Sequence, residues 1–196
     1  MRRAIIPLLA VLAAGCGTQA PPSQPTSGTS DKKVEASPVT VSKVELTPVT
    51  VAELEAAIAS HKGKVVLIDC WFRTCSPCVK KFPRVVQLHR DFAKDGLVVM
   101  SLDVIPEEWD EKDKVLKFLT GKEATFPNYI FADKPKAYEA WQAAHDAENT
   151  PAFVAFDRQG KWVRYTEPKP QGTEEEKDAA HAEAERAFVK KLLAEK

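Results

Sequence analysis

The sequence predicts an α/β fold, in which the strands of a central sheet alternate with helices. Residues 65–68 are apolar at every position, which is typical of a parallel strand covered on both faces. Apolar residues then recur at helical spacing from Phe82 to Phe92, and a second apolar strand is predicted over residues 97–104. This order of buried strand, helix and buried strand indicates a layered sheet with helices packed against it.

The N-terminal residues predict export and attachment to a membrane. Two arginines follow Met1, residues 4–14 are mostly apolar, and Gly15-Cys16 follows, so residues 1–15 are predicted to be a lipoprotein signal peptide. The apolar run is too short to cross a bilayer as a helix. The stretch ending at Cys16 resembles a bacterial lipobox, in which that cysteine becomes lipid-modified and anchors the protein. An ordinary signal peptide with a fortuitous cysteine is the alternative.

Residues 16–46 are predicted to be a flexible, lipid-anchored linker, because proline, serine and threonine dominate and apolar surface is scarce. Within this segment, residues 39–46 alternate weakly and are a candidate edge strand. The remaining residues, 47–196, form the predicted domain.

The domain opens with a helix and the first core strand. Thr50 and Glu53 have the spacing of a capping box, and the helix that they begin is expected to end near His61, with Gly63 as its stop. Residues 64–71 form the predicted first core strand.

The central part of the domain continues the same alternation. The helix after the first strand contains Pro83, which is expected to kink it. Pro106 and the acidic run 107–113 are expected to begin another helix, with the acidic side chains in a solvated first turn. A short apolar segment at 125–131 and a helix at 135–147 follow, in which Tyr138 and Trp141 are expected to be packing residues.

The C-terminal part predicts a hairpin and a last helix. A strand at 152–157 turns at 157–160 and pairs with 161–164. Thr173 and Glu176 form a second capping box for a helix that reaches Leu193. The apolar face expected for this helix consists of Ala180, Ala184, Phe188 and Leu192.

Two cysteines separated by two residues, Cys75 and Cys78, carry the strongest chemical signal. They follow the first core strand where a helix begins, so the sulfur of Cys75 is expected beside free backbone N–H groups and the positive end of the helix dipole. This environment favours the reactive thiolate, and Cys78, one turn further on, is expected to be the buried, resolving thiol. Half of a zinc site is the alternative, but zinc needs about four ligands and the four histidines are scattered. A Cys-x-x-Cys beside a strand–helix unit favours redox chemistry.

The residues around the cysteines also follow a recognisable order: strand, acid, Trp, three residues, Cys-x-Pro-Cys, then Lys-Lys-Phe-Pro at a helix start. They are Asp69, Trp71, Cys75, Ser76, Pro77, Cys78, Lys80, Lys81, Phe82 and Pro83. This pattern resembles the thioredoxin superfamily and, within it, the TlpA/ResA-like membrane-anchored thiol–disulfide oxidoreductases. The resemblance implies a thioredoxin fold with a central mixed β-sheet flanked by helices. It also implies a TlpA-like insertion, a helix and a strand, between the second core strand and the cis-proline strand.

The resemblance also implies roles for residues near the cysteines. Asp69 matches the buried acid that exchanges a proton with Cys78, although a solvent-exposed acid at the strand end is the alternative. Pro151 matches the cis-proline that brings the backbone of Thr150 beside Cys75. Trp71 is expected to pack beside the site. The shape and the redox potential of the site are expected to depend on Thr74, Ser76 and Pro77. Of these, Thr74 and Ser76 depart from the residues that are usual in the family.

These features predict a thiol–disulfide oxidoreductase of the bacterial cell envelope, lipid-anchored to a membrane and facing the periplasm or exterior. A reductant role fits the family best. No cofactor and no metal are expected; the expected partners are client proteins with disulfides or thiols, such as apocytochromes, and a membrane redox donor or acceptor. Nucleic acid is not expected, because 28 basic residues balance 28 acidic ones.

Several alternatives remain at the level of sequence. A metal- or haem-delivery protein would use the same cysteines, with His145 as the candidate distal ligand. A peroxiredoxin would need Pro-x-x-x-Thr-x-x-Cys, and proline is absent at that spacing. A structural lipoprotein with a vestigial motif is a further alternative. Cys70 is interpreted as a small buried hydrophobe, with a third redox partner as the other reading.

Overall fold

The structure, a computed structural model, describes residues 43–195, all of which lie in one compact unit. The predicted signal peptide, Cys16 and most of the linker lie outside the described residues. Among the helices of residues 43–195, none combines the length and the apolar character that crossing a bilayer requires.

Within residues 43–195, six strands form one mixed sheet, which confirms the predicted fold class. The strands are β1 (Thr47–Val49), β2 (Val65–Trp71), β3 (Leu97–Asp103), β4 (Asn128–Phe131), β5 (Ala152–Phe156) and β6 (Trp162–Arg164). Their order across the sheet is β1-β4-β3-β2-β5-β6. The neighbouring pairs β1–β4, β4–β3 and β3–β2 are parallel, whereas β5 runs antiparallel to both β2 and β6.

In the described part of the chain, five α-helices cover the two faces of this sheet. They are α1 (Val51–Ala59), α2 (Ser76–Phe92), α3 (Lys112–Gly121), α4 (Pro135–Ala144) and α5 (Glu174–Ala194). In β2, Val65, Leu67 and Trp71 pack in one cluster with residues of α2, α3 and α5, while Ile68 and Cys70 pack with α1 and α4. Every residue of β2 is therefore buried, as its unbroken apolar run predicts.

Both predicted capping boxes are present, at Thr50 with Glu53 and at Thr173 with Glu176. Helix α1 ends at Ala59, slightly earlier than expected, and Gly63 lies in the following turn at φ +89°. Helix α2 continues through Pro83 to Phe92.

The segment between β3 and Pro151 contains the predicted insertion. Strand β4 lies between β1 and β3, and α3 precedes it in the chain. The expectation for the acidic run is wrong in part: Pro106–Glu111 form a 3₁₀ turn and α3 starts only at Lys112. Glu108 is also buried rather than solvated, because its carboxylate accepts a hydrogen bond from the backbone N–H of Arg73.

Two further expectations need correction. Residues 43–46 are not in a strand, and the edge strand β1 begins only at Thr47. In α5 the buried positions are Glu185, Val189 and Leu192, so Leu192 of the expected face is buried, while Ala180, Ala184 and Phe188 are half-buried. A carboxylate among the buried positions is tolerated because an arginine of α2 pairs with it.

Candidate active site

Cys75 is the N-cap residue of α2, where the sequence places it. Its sulfur accepts a hydrogen bond from the backbone N–H of Cys78 at 3.3 Å, which is one of the free donors at a helix start. Pro77 in the first turn has no N–H and so contributes no donor of its own. The sulfur therefore lies in the positive field of the helix N-terminus, which stabilises a thiolate.

The two cysteines form a disulfide, with a Cα–Cα distance of 5.2 Å. Cys78 is fully buried, whereas the residue Cys75 retains 7% of its exposure. Thr74, Ser76 and Pro77 are exposed around it. An attacking or departing group from solvent can thus reach the first sulfur more easily than the second.

Aromatic side chains surround the buried side of the pair. Trp71 is completely buried, with ring centroids 4.9 Å from both Phe82 and Phe118, stacked on the latter and edge-on to the former. Both cysteines belong to the same apolar cluster as these rings. This side of the disulfide is therefore enclosed by apolar side chains, and Trp71 packs beside the cysteine pair.

A buried ion pair lies on the same face of the sheet. Asp69 is fully buried, and the ammonium of Lys81 lies 2.7 Å from its Oδ1. Burial raises the pKa of the Asp69 carboxyl above its ordinary value, and the charge of Lys81 opposes that rise. Asp69 is therefore a buried acid, and it is not exposed to solvent at the end of the strand.

A second set of charges connects α2 to the C-terminal helix. The guanidinium of Arg84 makes two 3.0 Å hydrogen bonds to the buried carboxylate of Glu185 and a third contact to Asp178. The charge of Glu185 adds to the rise of the Asp69 pKa, whereas that of Arg84 opposes it. The two ion pairs thus form one electrostatic network behind the cysteines.

Pro151 adjoins this network at the start of β5. The Thr150–Pro151 peptide bond is cis, as the resemblance implies. Pro151 and Pro77 line the same cavity, of about 200 Å³, so the cis-proline faces the Cys-x-x-Cys segment. A neighbouring cavity of about 210 Å³ is also lined by Pro151, and the buried side chains of Lys81 and Glu185 reach it.

Two acidic residues, one at the end of β3 and one in the 3₁₀ turn after it, lie next to the segment that precedes Cys75. Glu108 binds the backbone N–H of Arg73 at 2.9 Å, and Asp103 lies next to Trp71 in the register of β2 and β3. Burial raises the pKa of Asp103 to about 9; the Glu108 carboxyl adds to this, and a hydrogen bond from Ile105 N–H opposes it. Burial and the nearby Glu108 carboxyl thus both favour the protonated form of Asp103.

Cys70 and His145 lie in other surroundings. Cys70 is a free, fully buried thiol in the cluster of α1 and α4, and burial raises its pKa far above the ordinary value. It is thus on the opposite face of β2 from Cys78, which supports the interpretation as a buried hydrophobe.

The Nδ1 of His145 lies 2.8 Å from the carbonyl of Trp141, and its ring packs against Trp141 and Trp162. Across residues 43–195 there is no group of three or more His, Cys, Asp or Glu side chains that could hold a metal ion.

The sequence analysis singled out the cysteines, Asp69, Trp71 and Pro151, and it gave no role to Lys81, Asp103, Glu108 and Glu185. Lys81 lies three residues after Cys78 and so shares its helix face, which is the signal that could have revealed it. Asp103 ends the second core strand, and parallel core strands carry their site residues at that edge.

The fold and the site together define a thioredoxin-fold protein with a redox-type cysteine pair. The Redoxin family matches residues 35–183, and the chain belongs to that family. Two curated proteins of Bacillus subtilis (strain 168) are similar to it. The thioredoxin-like protein YneN is 28% identical over 106 residues, which are 54% of this chain and 58% of YneN. The thiol-disulfide oxidoreductase ResA is 25% identical over 103 residues, which are 53% of this chain and 52% of ResA.

The chain thus spans little more than half the length of these curated relatives. Among solved structures, the thioredoxin-like superfamily protein SPOA0173 superimposes with a TM-score of 0.54 at 21% identity, covering 71% of this chain and 86% of that one. This likeness supports the thioredoxin fold.

Proposed function

We propose that this protein is a thiol–disulfide oxidoreductase that reduces disulfides of client proteins in the cell envelope. The observation that carries the proposal is the sulfur of Cys75 at the N-cap of α2, bonded to the fully buried Cys78. A reactive outer sulfur and a shielded inner one are what two-step disulfide exchange requires.

In the reduced protein the Cys75 thiolate attacks one sulfur of a client disulfide. A mixed disulfide forms, and the other client sulfur leaves as a thiolate. Cys78 then loses its proton, attacks the Cys75 sulfur and displaces the second client thiolate. Two electrons pass to the client, and the Cys75–Cys78 disulfide of the structure is the product.

The neighbouring groups favour each step. The helix N-terminus stabilises the Cys75 thiolate before attack and when it leaves. Asp69, buried on the same side of β2 and paired with Lys81, is the proposed acceptor of the Cys78 proton. The backbone beside Pro151, which faces Pro77 across a cavity, is the proposed binding place for the client chain. Thr74 and Ser76 are proposed to adjust the redox potential from their exposed positions.

Reduction of insulin tests the activity. The full chain, supplied with dithiothreitol, is expected to accelerate precipitation of the insulin B chain, and Cys75→Ser is expected to abolish that acceleration. Cys78→Ser is expected to accumulate a mixed disulfide. Cys70→Ala is the matched control, since this thiol lies on the other face of the sheet. Full activity in Cys75→Ser would remove the mechanism.

The direction of electron flow is proposed from the TlpA/ResA-like resemblance, and a membrane redox donor is proposed to restore the dithiol. Equilibration of the Cys75–Cys78 pair with glutathione buffers measures the potential. A reductant is expected to have a potential below that of glutathione. A potential above it would assign the protein as an oxidant.

The location is proposed from the N-terminal residues: a signal peptide over 1–15, lipid on Cys16 and a linker to residue 46. Expression in a bacterium followed by membrane fractionation tests it. Wild-type protein is expected with the membranes, and Cys16→Ser is expected in the soluble envelope fraction. Recovery of both proteins in the cytoplasm would contradict the assignment.

A further inference from the structure

A shallow groove is lined in part by Arg73, which lies two residues before Cys75. Strand β2 has β5 and Pro151 on one side and β3 on the other, and α3 follows β3 in the chain. The groove lies between α3 and the loop that precedes Cys75. Its lining residues are Arg73, Lys114, Lys117, Phe118, Gly121 and Lys122.

The floor of the groove is aromatic and firmly held. Phe118 is partly exposed, yet its ring stacks on buried Trp71 and meets Phe82 edge-on at a centroid distance of 5.1 Å. The exposed part of Phe118 is therefore an apolar contact surface on a rigid support. Because Trp71 packs in the same apolar cluster as Cys75 and Cys78, this surface is continuous with the packing behind the redox site.

Positive charge surrounds that floor. Glu111 forms ion pairs with Arg73 and with Lys114, so one carboxylate faces two cations. Lys117 has no acidic partner within the part of the chain that the structure describes, and the ammonium of Lys122 lies 5.6 Å from the centroid of Phe118. The cavity beside Pro151 differs, because acidic side chains balance the cations there.

We propose that this groove docks an acidic segment of the client protein that carries an apolar side chain. The apolar side chain packs on Phe118, and flanking carboxylates approach Lys117 and Lys122, while the client disulfide lies at Cys75. Complementary charge outside the reacting centre accelerates encounter and selects the partner. This inference rests on the proposed function and specifies which clients that site prefers.

The test compares two synthetic peptides that contain the same internal disulfide and one phenylalanine. One carries flanking glutamates and the other carries lysines. The pre-reduced full chain is expected to reduce the acidic peptide roughly three- to tenfold faster at low salt, since each exposed charge contact is weak. The preference is expected to shrink at high ionic strength, where the charges are screened.

The double variant Lys117→Glu with Lys122→Glu is expected to reverse this preference, so that the basic peptide reacts faster. Lys62→Glu with Lys64→Glu makes the same change in net charge at the opposite end of β2, and it is expected to keep the wild-type preference. Thermal melting of all three proteins verifies that they fold.

The outcomes separate the two proposals. If the wild-type protein reduces neither peptide, the proposed function fails. If it reduces both but shows equal rates, or if the two double variants change the ratio alike, the exchange chemistry stands and the docking groove is refuted.

Discussion

Replacing Lys81 with methionine is expected to destabilise the protein in a pH-dependent manner. The substitution removes the ammonium that lies 2.7 Å from the carboxylate of Asp69 and leaves an acid with no exposed surface. Breaking a buried ion pair in this way typically costs about 3–5 kcal/mol. Asp69 can lower this cost by binding a proton, so we expect a loss of about 3 kcal/mol at pH 8 and a smaller loss at pH 5.

The direction of this pH dependence follows from the shift in the pKa of Asp69. Burial already raises the pKa of Asp69 in the folded protein, and removal of Lys81 raises it further. The folded state then binds more protons than the unfolded state above the ordinary carboxyl pKa. The free energy of unfolding therefore falls as pH rises, by up to about 1.4 kcal/mol per pH unit.

Urea unfolding of the oxidised full chain at pH 5 and pH 8 measures these changes. The double variant Lys81→Met with Asp69→Asn removes both charges and is expected to recover much of the loss at pH 8. Lys80→Met is the matched control, because this neighbouring lysine is exposed and its two ion pairs are long, at 3.9 Å each. We expect less than about 1 kcal/mol there. A loss in Lys81→Met that equals the control at both pH values would refute the reasoning.

Two further predictions concern the other buried charges. Arg84→Met leaves the carboxylate of Glu185 buried without its two hydrogen bonds, and urea unfolding is expected to show a loss of about 3–5 kcal/mol. Arg90→Met removes an exposed pair and is expected to cost less than about 1 kcal/mol; equal losses would contradict the prediction. Asp103, with a folded pKa of about 9, contributes a fall in stability between about pH 4 and pH 9, because the unfolded carboxyl releases its proton first. Asp103→Asn is expected to flatten the pH dependence of urea unfolding in that range, and an unchanged slope would argue against a proton held by this carboxyl.

Local features of the sequence determined much of the architecture. The apolar run of β2, the capping boxes at Thr50 and Thr173 and the helix start at Cys75 each depend on residues within a few positions of one another. Such short-range patterns act before tertiary packing and can be recognised in one dimension. The cis bond at Pro151 and the inserted helix and strand came instead from the family resemblance.

Tertiary structure alone decided which charged residues are buried. Lys81, Glu108 and Glu185 are residue types that are normally solvated, and nothing local shows that their side chains are enclosed. Each is enclosed because a partner brought near by folding satisfies it, and Arg84 and Glu185 are 101 residues apart in the chain. The sequence by itself therefore determined the core strands, the caps and the position of the cysteine pair at a helix start. The charge network behind that pair was decided by packing, because the burial of an ionisable group depends on distant neighbours that compensate its lost hydration.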